Sequence, residues 1–76
     1  MKIRIKAFGP LRDRLGTRDW LEVELDSGAT IYSLLEKLGA TEDEVMTVLK
    51  KGVCCEGDYV ICENDEFQLI PPIFAG

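Results

Sequence analysis

From Lys2 to Ala7 the chain alternates, with Lys2, Arg4 and Lys6 on one side and Ile3, Ile5 and Ala7 on the other. A period of two with one apolar side predicts a strand that buries a single face. "WLEVELD" repeats the pattern, with Leu21, Val23 and Leu25 inward and Glu22 and Glu24 outward. Between them, "GPLRDRLGTRD" holds Gly9, Pro10 and Gly16 in a charged stretch and reads as a long loop. The two strands then form an antiparallel hairpin with a long connection.

The period changes at "SGATIYSLLEKLGA". Ile31, Leu34, Leu35 and Leu38 fall at i, i+3, i+4 and i+7, which predicts an amphipathic helix with Thr30 as N-cap and Gly39 as its stop. "TEDEVMTVLKKG" spaces Thr41 and Glu44 as a capping box and carries a narrower stripe of Val45, Val48 and Leu49. Acidic residues crowd its start and Lys50 and Lys51 its end, so it reads as a second, shorter helix ended by Gly52. "VCCEGDYVI" sets a turn at Glu56-Gly57-Asp58 between two short β-rich runs. A second turn at Asn64-Asp65 leads to a last strand with Phe67 and Leu69 on one face, ended by Pro71 and Pro72.

One main helix across a mixed sheet, with a second short helix, is an α+β domain of two layers. The first and last strands, placed side by side and parallel in the middle, make it a β-grasp, or ubiquitin-like, fold. The expected organisation is a β-grasp domain over residues 1–70 and an extended C-terminal tail over residues 71–76. A chain of 76 residues leaves no room for a second core.

Charge and composition narrow the function. Nine basic and fourteen acidic residues give a net charge of −5, which repels phosphate backbones and argues against nucleic acid. The same charge suits a protein partner with a basic patch. No apolar run is long enough for a bilayer and the N-terminus lacks a signal-peptide pattern, so no membrane role and a cytoplasmic location are expected. Cys54, Cys55 and Cys62 are odd in number and two are adjacent, unlike a disulfide framework. They read as small, partly buried apolar residues of a reducing compartment. With no histidine in the chain, no metal site and no neutral-pH base are expected.

The body offers no enzyme chemistry. It has neither G-x-x-x-x-G-K-[ST] nor G-x-G-x-x-G, and its carboxylates sit at turns or on outward faces. The tail is different. Pro71 and Pro72 favour an extended path, and residues 71–76 would reach at most about 20 Å. Ala75 and Gly76 are narrow enough for a tight channel, and the Gly76 α-carboxylate has no side chain to hinder attack once activated.

Four segments carry a resemblance. "FGPLRDRLGT" is similar to F-A-x-L-R-E-x-x-G, and "LDSGATIYSLLEKLG" to L-x-x-G-A-T-x-x-x-L-L-x-x-L. "CCEGDYV" stands where a short strand leads into V-N-G-x-x-V, with Glu56 in place of the usual Asn. "ENDEFQLIPPIFAG" resembles D-G-D-E-V-x-L-x-P-P-V-x-G-G. In that order these segments resemble the MoaD/ThiS family of β-grasp sulfur carriers, closest to the molybdopterin synthase small subunit. The resemblance implies a carrier rather than an enzyme. It makes Gly76 the reacting residue, adenylated by an E1-like enzyme and converted to a thiocarboxylate for molybdopterin synthesis. Ala75, Phe74, Ile73, Pro72 and Pro71 would then meet the partner. The implied partners are the E1-like adenylating enzyme, a sulfur donor and the synthase large subunit, with ATP used by the activating partner and no cofactor bound by this chain. The family ends Gly-Gly where this chain has Ala75-Gly76, and Phe74 is bulkier than usual. A ubiquitin-like protein modifier and a non-reactive β-grasp interaction module are therefore the alternative readings.

Overall fold

A computed structural model describes residues 1–16, 19–41 and 43–72. Among these, β1 (Lys2–Ala7), α1 (Gly9–Leu15), β2 (Leu21–Glu24), α2 (Ile31–Leu38), β3 (Thr47–Lys50), β4 (Val53–Cys55) and β5 (Glu66–Ile70) follow in chain order. The sheet runs β2-β1-β5-β3-β4. β1 pairs antiparallel with β2 and parallel with β5, which pairs antiparallel with β3. The first and last strands thus lie together in the middle, the β-grasp arrangement.

The inward residues follow the alternation. Ile3, Ile5, Phe67 and Leu69 are fully buried and meet Ile31 and Leu34 of α2, the main helix across the sheet. Thr30 caps α2: its side chain accepts from the Ser33 N–H, and the Ser33 hydroxyl accepts from the Thr30 N–H. Gly39 closes the helix at φ 69°. Leu21 departs from its expected inward place, because it sits at the start of β2 and stays 37% exposed.

The second helix lies elsewhere than the periodicity places it. Residues 43–50 hold one turn and then a strand. Thr41 and Glu44 do pair, the Thr41 N–H donating to Glu44 Oε1 at 3.1 Å, but the turn closes once and stops. Thr47, Val48 and Leu49 instead complete the open edge of β5, opposite Ile70, Leu69 and Gln68. Val45, Thr47 and Val48 are β-branched and lose rotamer freedom in a helix, so the ladder wins. Gly52, expected as a helix stop, is half of a two-residue hairpin. Lys51 at φ 52° and Gly52 at φ 80° give the primed turn that matches strand twist.

The short helix is α1, in the stretch expected as loop. Gly9 and Pro10 open it, Gly16 ends it at φ 72°, and Leu11 is its buried anchor. The later turns fall at Gly57-Asp58 and Glu63-Asn64. The run around Val60 is an isolated bridge to Thr30 rather than a strand, although Ile61 is buried.

Gly9 couples α1 to the end of β5. Its φ is 62°, and a Cβ there would stand 3.2 Å from Pro71 Cγ. Gly9→Ala should therefore cost about 1–2 kcal/mol from the left-handed backbone alone. Urea unfolding measures this, and an unchanged midpoint would contradict the left-handed backbone at Gly9.

Candidate functional site at the root of the tail

β5 delivers the chain to the end of the sheet where β1 turns into α1. The register Ala7↔Leu69 sets this, and the Met46 N–H fixes the last strand residue by donating to the Ile70 carbonyl at 2.8 Å. Pro71 then lies on Gly9, half-buried, with Pro72 beside it. The two prolines form one wall of a groove of about 400 Å³, completed by Pro10, Leu11, Arg14, Asp43 and Glu44. Of the expected site residues, Pro71 and Pro72 are placed here. Ile73, Phe74, Ala75 and Gly76 lie outside the described residues.

Arg14 fastens the groove floor. Its Nη2 donates to the Gly39 carbonyl and to Glu44 Oε1, both at 2.9 Å, and its Nε pairs with the other carboxylate oxygen. The guanidinium thereby ties α1 to the end of α2 and to the turn at Thr41. The Thr41 N–H, and then Arg14, hold the Glu44 carboxyl below its usual range. Sequence spacing shows the Thr41–Glu44 contact but carries no sign of Arg14, whose partner is thirty positions away.

The outer face of the sheet is split. Toward β2, Lys2 pairs with Glu22 at 3.6 Å and Arg4 with Glu66. Toward Ile70, the register places Ile70, Gln68, Thr47, Leu49 and Cys54 on the same face, and Met46, just before β3, is 70% exposed. Charges are paired at one end, and Leu49 and Ile70 are left among uncharged neighbours at the other.

A polar cluster lies behind the β3–β5 ladder. Asp65 is buried and accepts from the Cys62 N–H at 2.8 Å and the Tyr59 hydroxyl at 3.4 Å. Lys50 Nζ meets Asp65 Oδ1 at 2.9 Å and donates to the Tyr59 hydroxyl at 2.7 Å. Burial pushes the Asp65 carboxyl up, but Lys50 and the Cys62 N–H outweigh it together, and the net shift is downward. The Tyr59 and Asp65 oxygens raise the Lys50 ammonium above its ordinary value, so it is neither a base nor a nucleophile near neutrality. The cluster is a structural device whose members are spread over sixteen positions, which is why no local motif announces it.

Its pH dependence has a definite sign. Asp65 stabilises the fold above its unfolded pKa of about 4, and that contribution fades as pH falls through the lower folded value. Lys50, raised on folding, contributes below its unfolded pKa of about 10.4 and loses the contribution as pH rises further. Asp65→Ala should cost about 2–3 kcal/mol at pH 7, and the gap from wild type should narrow in acid. Thermal melts between pH 3 and 7 measure it, and a gap independent of pH would contradict the assignment.

The cysteines divide. Cys55 is half-buried on the core side of β4, and burial pushes its thiol up. Cys54 and Cys62 are exposed, against the expectation of partial burial. Cys54 faces outward at the sheet edge, and Cys62 lies in the loop before the Glu63-Asn64 turn. Among the described residues no three metal-ligating side chains converge, and no helix is long and apolar enough to cross a membrane.

The ThiS family model matches residues 5–76. No curated protein matches the chain. Among solved structures, small archaeal modifier protein 1 of Haloferax volcanii is 24% identical with a TM-score of 0.78, covering 95% of this chain and 98% of its own. A putative molybdopterin converting factor subunit 1 from Pyrococcus furiosus is 23% identical with a TM-score of 0.79, covering 96% and 99%. Caldiarchaeum subterraneum ubiquitin is 22% identical with a TM-score of 0.68, covering 100% and 98%. At these identities the structural likeness is one of fold, and it is ubiquitin-like.

Proposed function

Because the chain belongs to the ThiS family, we propose that it is a sulfur carrier whose working group is the Gly76 α-carboxylate. The observation that carries this reading is the reach of the family match, which runs through the tail to residue 76. In the proposed reaction a Gly76 carboxylate oxygen attacks the α-phosphorus of ATP in the partner's site. Pyrophosphate leaves, and an acyl adenylate remains. Hydrosulfide, or its protein-bound equivalent, then attacks the carbonyl carbon, AMP leaves with the C–O bond electrons, and a thiocarboxylate results. The partner is an E1-like adenylating enzyme, and this chain holds no cofactor of its own.

The groups available in the body support the division of labour. Lys50 and Asp65 neutralise each other, and Arg14 and Glu44 do the same. What the body supplies is direction. Pro71 seated on Gly9 sets where the tail leaves, and prolines at 71 and 72 lower the entropy lost when it enters a channel. Ile70 and Leu49 on the outer face, and the exposed Met46, lie near that end of the sheet and suit contact with the same partner. Ala75 adds one methyl to the usual Gly-Gly end, so the channel must leave room for it. The resemblance of residues 63–76 to the molybdopterin branch makes a synthase large subunit the proposed recipient of the sulfur.

Incubation with the cognate adenylating enzyme, ATP and hydrosulfide tests this. The intact chain should gain about 16 Da as sulfur replaces one oxygen. Unchanged mass contradicts the carrier reading. Cellular lysines joined to the tail would move the same carboxyl chemistry to protein conjugation.

A further inference from the structure

The groove at the tail root has two kinds of surface. Pro10, Leu11, Pro71 and Pro72 give it apolar walls, and Asp43 and Glu44 give it an acidic rim. The rim is not neutral. Among the described residues, Arg14 is the cation lining the groove, and it is bound to Glu44 and to the Gly39 carbonyl, so its charge is cancelled. Asp43 is exposed and makes no ion pair among the described residues. Among the described residues, Asp43 therefore leaves an uncompensated negative charge on the lining of an apolar slot, on a protein of net charge −5.

We propose that this groove is a docking site for the adenylating enzyme, and that it receives an apolar side chain flanked by a lysine or arginine. The inference rests on the sulfur-carrier reading and adds to it the place and chemistry of the grip. The apolar side chain would fill the space between the Pro10 and Pro72 walls, and the flanking cation would meet Asp43. Complementary charge of this kind speeds encounter and fixes register.

The position explains why a hold here matters. Pro72 is four residues from Gly76, a span of at most about 14 Å. A partner that holds only the far side of the domain must still find a carboxylate four residues beyond Pro72. A partner that holds the root confines the reacting carbon to a small volume, and the effective concentration rises accordingly. One wall of the groove is the tail itself, so the grip also sets the direction in which residues 73–76 set out. Gly9 keeps that wall close, since a side chain there would press on Pro71.

The test is ATP–pyrophosphate exchange by the adenylating enzyme, with the full chain as variable substrate. Asp43→Lys should raise KM for the carrier about tenfold with kcat kept, because it weakens association and leaves the carboxylate intact. Asp43→Asn should fall between that variant and wild type. Asp58→Lys, the same change in net charge at an exposed position outside the groove, should shift KM less than about threefold. Equal effects of Asp43→Lys and Asp58→Lys would reduce the result to net charge and overturn the groove. A wild-type-like Asp43→Lys would overturn it as well. If the wild-type chain supports no exchange at all, the carrier reading falls first and the groove with it. Melting curves of the variants should overlay wild type, since Asp43 is exposed and makes no ion pair among the described residues.

Discussion

Deleting Gly76 should abolish adenylation while leaving the folded body unchanged. The deletion moves the terminal carboxylate back by one residue, about 3.4 Å, and puts the Ala75 methyl beside the reacting carbon. A misplacement of about 1 Å already costs on the order of 100-fold where reacting atoms must be aligned. A loss of at least about 1,000-fold in ATP–pyrophosphate exchange is therefore expected. Thermal stability should not change, because the core is drawn from residues between Ile3 and Leu69. Both readouts are needed. Retained exchange would show that another group is adenylated, and a lowered melting temperature would show that the tail belongs to the fold.

The second large effect is on stability alone. Phe67 is 0% exposed on the central strand, opposite Ile5, with its ring 6.1 Å from Tyr59 in an edge contact. Phe67→Ala removes that packing from both neighbours and leaves a cavity, at a cost of about 3–5 kcal/mol. A domain of this size has roughly 4–11 kcal/mol in total. Much of the population should be unfolded at physiological temperature, and the urea midpoint should fall by about 3 M. Met46→Ala, at a side chain 70% exposed, should stay within about 0.5 kcal/mol. A mild Phe67→Ala would mean that the core lies elsewhere.

Much of this fold is legible along the chain because its central elements keep their periods. Ile3 and Ile5, then Phe67 and Leu69, alternate cleanly, and the helix of Ile31 and Leu34 carries both its caps. Residues 41–52 mislead because local and tertiary signals conflict there. Thr41 and Glu44 make the contact of a helix start, Val45 and Val48 are three apart, and Gly52 fits a helix stop. The ladder to β5 overrides all of it, and nothing within those twelve residues records that β5 has an unfilled edge. The stretch at α1 fails for the opposite reason. Gly9, Pro10 and Gly16 are the punctuation of a short helix as much as of a loop, and the one i, i+4 pair on the core, Leu11 and Leu15, is too short a period to decide between them. The candidate site divides in the same way. Pro71 and Pro72 are visible as a stiff pair in the sequence. Their seat on Gly9, the Arg14–Glu44 tie and the Asp43 rim depend on contacts between distant segments.

The carbonyl carbon of Gly76 is the proposed reacting atom, and fragmentation mass spectrometry of the activated chain tests it directly. Trypsin cuts last after Lys51, so the C-terminal peptide from Gly52 carries the tail together with Cys54, Cys55 and Cys62. The two chemistries separate by mass and by place: a thiocarboxylate adds about 16 Da at the terminus, whereas a persulfide adds about 32 Da at a cysteine. The expected spectrum shows the smaller increment in fragments that retain Gly76 and in no others. Sulfur on a cysteine, with an unmodified Gly76, would contradict the claim that the terminal carboxylate is the group this protein exists to present.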